Sequence, residues 1–203
     1  MVSESRFRIA SVDFAAHAAG VPPYAGVAQW VTASLRQKGQ AGGLFQVDGA
    51  YFEGLTRLPT GGSLLAAERQ PRGLMELGGD HAAASARVWA MPASAYPLPW
   101  GRNSDFTDLT LADGQVFVLV RNAHLVVNLR FDGVWREARA FSYAAAENDA
   151  RFAYVDRVYG LGEGLAITEH EIFVVLDNNG QARVADAADR RPILFVFDRP
   201  RDL

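Results

Sequence analysis

The chain is 203 residues long, 49% hydrophobic and 21% charged, with a formal net charge of −3. That length and apolar content suit one well-buried domain, or part of a larger repeat assembly, and exclude a disordered chain. The small negative charge excludes long-range recruitment of nucleic acid or an anionic membrane, and the absence of cysteine excludes disulfides, thiolate zinc sites and thiol nucleophiles.

The start, Met1-Val2-Ser3-Glu4-Ser5-Arg6-Phe7-Arg8, lacks the apolar core of a signal peptide, and no window approaches the length of a membrane span. As written, the chain reads as soluble and cytoplasmic. Residues 7–15 alternate imperfectly and predict a strand, and residues 16–26, with two prolines and two glycines, predict a loop. Residues 27–37 fit both a strand and a short helix, and a short strand is expected around Leu44–Val47 after Gly39, Gly42 and Gly43.

A repeated unit then begins. Phe52-Glu53-Gly54-Leu55-Thr56-Arg57-Leu58 passes through Pro-Thr-Gly-Gly into Ser63-Leu64-Leu65-Ala66-Ala67-Glu68-Arg69, two apolar strands around a tight turn with a carboxylate at the outer end of each. Further extended segments follow at Gly73–Leu77 and Arg87–Met91, and three prolines between Pro92 and Asn103 argue against regular structure there. The unit returns at Phe106–Leu111, turns at Ala-Asp-Gly, and continues through Val116–Asn122, Leu125–Phe131 and Trp135–Tyr143. Residues 144–152 suggest a helical turn or polar loop. A third copy starts near Val158, carries Gly162-Glu163-Gly164-Leu165-Ala166-Ile167 and Ile172-Phe173-Val174-Val175-Leu176-Asp177-Asn178-Asn179, and ends in the apolar run Ile193–Phe197.

Glu53 and Thr107 are 54 residues apart, and Thr107 and Glu163 are 56. A period of about 50 residues built from strand-turn-strand units predicts an all-β fold of β-propeller type, and four antiparallel strands make one blade. The expectation is a single domain over 1–203 with about three to four blades, which either closes as a small ring or pairs with a second copy as a homodimer that completes the ring.

The three motif pairs just quoted, Phe52–Thr56 with Leu65–Arg69, Asp108-Leu109 with Val118–Arg121, and Glu163–Ala166 with Val175–Asn179, resemble the C-terminal part of the phytase-like, or SdiA-regulated, six-bladed β-propeller proteins. That group includes proteins described as having esterase-like activity of phytase. The resemblance covers about residues 45–200. It implies six blades, divalent cations (usually calcium) near the central channel, and common export to the periplasm. This chain departs from it in having too few blades for a closed six-bladed ring and no export signal.

In a propeller the innermost strands line a channel and their ends gather at one mouth. Glu53, Thr107 and Glu163 at strand starts, and Glu68-Arg69, Arg121-Asn122 and Asp177-Asn178-Asn179 at strand ends, are therefore expected to converge. Oxygen-bearing side chains gathered in this way suit calcium or another divalent cation, with Glu53, Glu68, Glu163, Asp177 and Asn178 as ligands. Arg69, Arg121 and Asn122 would hold a small anionic substrate by forked hydrogen bonds. On this reading the protein is a metal-assisted hydrolase of phosphate or carboxylic esters, with Glu53 or Glu163 binding the cation or taking the proton of an attacking water. The alternative is a non-enzymatic, calcium-stabilised module that binds a small ligand or a protein partner. A plainer account also fits: acidic strand ends pair with arginines of the next blade, and Asp-Asn-Asn-Gly is turn chemistry. The four histidines are isolated in sequence and expected at the surface, and Trp30, Trp89, Trp100 and Trp135 are expected to pack blades.

Overall fold

The computed structural model describes residues 1–12, 28–99, 101–155 and 159–203. The loop expected at 16–26, Trp100 and the start of the third repeat at Val158 lie outside the described residues.

The described residues form an all-β protein of four antiparallel sheets, each a simple up-and-down meander. Sheet 1 holds β1 (Val2–Ser3), β2 (Arg8–Val12) and β3 (Ala28–Trp30); sheet 2 holds β4 (Phe52–Arg57), β5 (Ser63–Ala67), β6 (Gly73–Leu77) and β7 (Arg87–Ala90). Sheet 3 holds β8 (Asp108–Ala112), β9 (Gln115–Val120), β10 (Leu125–Phe131) and β11 (Trp135–Ser142), and sheet 4 holds β12 (Gly162–Ile167), β13 (Glu171–Leu176) and β14 (Ile193–Asp198). Two short helices, α1 (Arg36–Ala41) and α2 (Ala144–Glu147), sit in the connections. Among the described residues no helix is long and apolar enough to cross a membrane.

Local chemistry sets these elements. Asp113 and Gly114 both take positive φ, 49° and 72°, and so close the two-residue β8–β9 hairpin in the sense that matches strand twist. β5 is buried along its whole length, as its unbroken apolar run requires of a strand covered on both faces. The ambiguous stretch 27–37 divides between β3 and α1. Leu44–Val47 is not a strand: Phe45 adopts φ 54°, and its ring packs edge-on against Phe7 and Phe52 at 4.9 and 4.8 Å. Burying that ring outweighs the extended preference of the segment. Trp30 also departs from expectation, being 41% exposed, whereas Trp89 and Trp135 pack between sheets 2 and 3.

The first strands lie side by side in chain order, β1 against β4, β4 against β8 and β8 against β12. Each gap between sheets holds its own core. Phe7, Ile9, Phe52 and Leu65 fill the first, Leu64, Ala66, Leu109 and Val118 the second, and Phe117, Leu119, Ile172 and Val174 the third. Successive residues of β5 and β9 thus face successive gaps, as the two-residue period of a strand dictates. This side-by-side order brings the starts of β4, β8 and β12 and the ends of β5 and β9 to one end of the array.

Candidate functional site: a carboxylate cluster around Arg121

The repeated glutamates owe their position to a shared irregularity. In β4 the pairing with β5 slips between Phe52 and Gly54, and in β12 the pairing with β13 slips between Gly162 and Gly164. Glu53 and Glu163 are therefore the extra residues of two equivalent β-bulges, a device that redirects a side chain. The glycine after Glu53 has a packing reason: a Cβ at Gly54 would lie 2.6 Å from the Leu109 backbone nitrogen of the next sheet. Thr107 holds the same place at the head of β8, where its hydroxyl donates to the Gly162 carbonyl at 2.7 Å. Asp108 follows it and ties β8 to β12, its carboxylate accepting the Leu165 amide at 2.7 Å. Burial pushes the Asp108 carboxyl up to about 6 despite the amides of Leu165 and Leu109 that it accepts.

At the strand ends, Arg121 is the centre. Its Nη2 donates to Glu68 at 3.0 Å, its Nε to Asp105 at 3.1 Å, and its Nη1 to Glu163. Arg69 adds a second guanidinium, 2.5 Å from Glu68, and also donates to the Gly49 carbonyl at 2.8 Å. Burial raises the carboxyls of Glu68, Asp105 and Glu163, with the arginines opposing that rise. Burial also works against the Arg121 charge, but Glu163, Asp105 and Glu68 outweigh it and hold the guanidinium charged. Glu53 has no such partner among the described residues. Burial first, then the charges of Glu4, Glu68 and Glu163, push its carboxyl up to about 8, and Arg121 offsets this only in part.

The expected site residues therefore divide. Glu53, Glu68, Glu163, Arg69 and Arg121 belong to one electrostatic cluster. Asn122 borders it through its backbone amide, which donates to Asp105 at 3.1 Å; its side-chain amide nitrogen donates to the Asn103 carbonyl, and its buried Oδ1 has no hydrogen-bond partner among the described residues. Asp177 and Asn178 have turn roles. Asp177 accepts the Asn179 amide at 2.9 Å, and Asn178 donates to the carbonyls of Gln181 and Arg190. Asp105, only 1% exposed, was not anticipated, because it precedes the repeated strand and has no acidic counterpart in the other two units. His124, expected at the surface, is half-buried and lies 2.8 Å from the buried Glu147.

The arrangement does not fit the calcium expectation. Among the described residues no group of three or more acidic or histidine side chains is disposed to hold a metal ion. The reason is physical: Glu68, Asp105 and Glu163 all turn to the Arg121 guanidinium, which supplies the positive charge that a bound cation would. The same three carboxylates engage every nitrogen of Arg121 and would repel an anionic substrate. Comparison of the chain with family models, curated proteins and solved structures finds no match in any of the three.

Proposed function

We propose that the four sheets are successive blades of a partial β-propeller, and that the end gathered around Arg121 binds a cationic group, an ammonium or guanidinium borne by a small ligand or a protein partner. The side-by-side order of β1, β4, β8 and β12 supports the blade reading. One observation carries the binding reading: four carboxylates, Glu53, Glu68, Asp105 and Glu163, face two guanidiniums, and every nitrogen of Arg121 is already engaged. Near neutral pH the Glu53 carboxyl, pushed up to about 8, keeps its proton, and the other three carboxylates still exceed the two guanidiniums by one charge. A cation arriving beside Glu53 favours its ionised form, so binding releases a proton near neutral pH. On this reading the protein is a binding module, a role propellers serve as readily as catalysis.

Thermal-shift titration near neutral pH with ethylenediamine, calcium chloride and inorganic phosphate tests it. A ligand that binds only the folded chain raises its stability by mass action, about 2.7 kcal/mol at a hundred times its Kd. Ethylenediamine should stabilise, phosphate should not, and Glu53→Gln and Glu163→Gln should each weaken the response. Stabilisation by calcium and not by the diamine would return the site to a divalent ion, and stabilisation by phosphate alone would contradict cation recognition.

A metal-assisted ester hydrolase is the second reading, favoured by the raised Glu53 carboxyl, since a group ionising near neutrality suits proton transfer. An anionic ester would meet two guanidiniums already paired with carboxylates and would face the surplus negative charge. Turnover of phosphomonoesters, phosphodiesters or short acyl esters that is lost in Glu53→Gln would favour this reading over binding.

A further inference from the structure

Each sheet packs on the next through matching positions. Leu64 and Ala66 of β5 face sheet 3, and Phe117 and Leu119 of β9 face sheet 4. The register that pairs Ala66 with Gly54 also pairs Val175 with Gly164, so Phe173 and Val175 are their counterparts on β13. Among the described residues nothing covers them fully. Val175, Leu194 and Val196 are 42%, 55% and 49% exposed, and Val175–Leu194 and Phe173–Val196 are cross-strand partners, so the patch is continuous. The glycines agree. A Cβ on Gly54 would strike the backbone of the next sheet, whereas one on Gly164 would meet only Val175 of its own sheet, at 3.3 Å. Sheet 4 thus presents a packing face without its sheet.

The complementary surface lies at the other end of the array. Sheet 1 turns Ile9 toward sheet 2, and Trp30 lies on the other side, paired through Ala10 and 41% exposed, with the guanidinium carbons of Arg6 and Arg8 over its ring at 5.6 and 4.8 Å. On sheet 4, the exposed Glu171 and Asp198 are cross-strand partners on the same face as Val175 and Val196. One terminal face is apolar with an acidic end, and the other sets Arg6 and Arg8 over Trp30, with Glu4 in the hollow beside the ring. We infer that sheet 4 docks on sheet 1 of a second copy of this chain. Two copies docking reciprocally make two identical contacts and close a ring, which leaves no free face. The contact is independent of the Arg121 cluster, so its failure would not touch the cation-binding reading.

Light-scattering chromatography tests this. The unmodified chain should run at twice its 22.1 kDa mass at concentrations on the order of 100 µM. The pair Leu194→Glu with Val196→Glu should return it to the single-chain mass with an unchanged circular dichroism spectrum. Arg6→Glu and Glu171→Arg should each weaken association, and mixing these two variants should restore it. The mixed pair keeps one unaltered contact and gains one in which positions 6 and 171 meet with their charges exchanged. A single-chain mass for the unmodified protein would overturn the proposal. So would a double mass indifferent to both sets of substitutions, or variants that do not rescue each other.

Discussion

Glu68 and Arg121, the residues that follow equivalent strands of neighbouring sheets, meet at 3.0 Å. Where one sheet ends this strand in an acid the next ends it in a base, and the contact joins sheets 2 and 3 at their inner end. Arg121 goes on to Glu163 and so reaches sheet 4 as well.

Removing that hub should be severe. Arg121→Met leaves Asp105 and Glu163 without their cation and Glu68 with Arg69 alone, and breaking a buried pair from one side typically costs about 3–5 kcal/mol. Arg121→Lys should recover only part of this loss, because a compact ammonium cannot serve three carboxylates held at different angles. Urea unfolding of the two variants measures both effects.

Glu53 gives the protein a pH dependence of definite sign. Burial and the neighbouring carboxylates push its carboxyl from the ordinary 4.5 up to about 8, so the folded chain holds the proton more tightly. Stability from this group is complete below about pH 4.5 and is lost as pH rises through about 8. Solvent at the half-buried site screens the effect, leaving about 1–2 kcal/mol. Glu53→Gln should flatten this part of the stability profile and be the more stable protein on the alkaline side, as read by melting temperature across the range.

Two glycines in the same structural place should respond differently. Gly54→Ala drives a methyl into the Leu109 backbone and should cost about 1–3 kcal/mol. Gly164→Ala meets no backbone, only the Val175 Cβ of its own sheet at 3.3 Å, and should cost less than Gly54→Ala, within about 1 kcal/mol. Denaturant titration at high dilution compares them.

Asp108 ties sheet 3 to sheet 4 through the Leu165 amide. Asp108→Ala strands that amide and should cost about 1–3 kcal/mol. Asp108→Asn retains an accepting oxygen and should cost less. Hydrogen exchange at Leu165 should quicken in the alanine variant and far less in the asparagine one.

The repeat was legible because Glu53, Thr107 and Glu163 recur at a nearly constant interval, and the bulge that aims both glutamates preserves that interval. The strands of sheets 2, 3 and 4 followed from apolar runs and turn residues, with Gly73–Leu77 and Leu125–Phe131 matching in full. Sheet 1 was only partly legible: β1 is two residues long, too short to show alternation. The convergence of Glu68, Arg69, Arg121 and Glu163 could be anticipated from position, but the partners of Arg121 could not. Its carboxylates come from Glu68, Asp105 and Glu163, in three separate parts of the chain, and only the packing of the sheets decides that all three reach one guanidinium. Asp177 and Asn178 sat at a matching position in sequence, yet turn hydrogen bonds claim them first.

Titration calorimetry with ethylenediamine, run near neutral pH in two buffers of different ionisation enthalpy, reads cation binding and its coupled proton release together. Recognition of a cationic group beside Glu53 predicts binding with net proton release in the unmodified chain. The release should fade above about pH 8, where the carboxyl is already ionised, and should be lost in Glu53→Gln. Absence of binding heat from the diamine at any pH, with inorganic phosphate binding in its place, would rule out cation recognition beside Glu53.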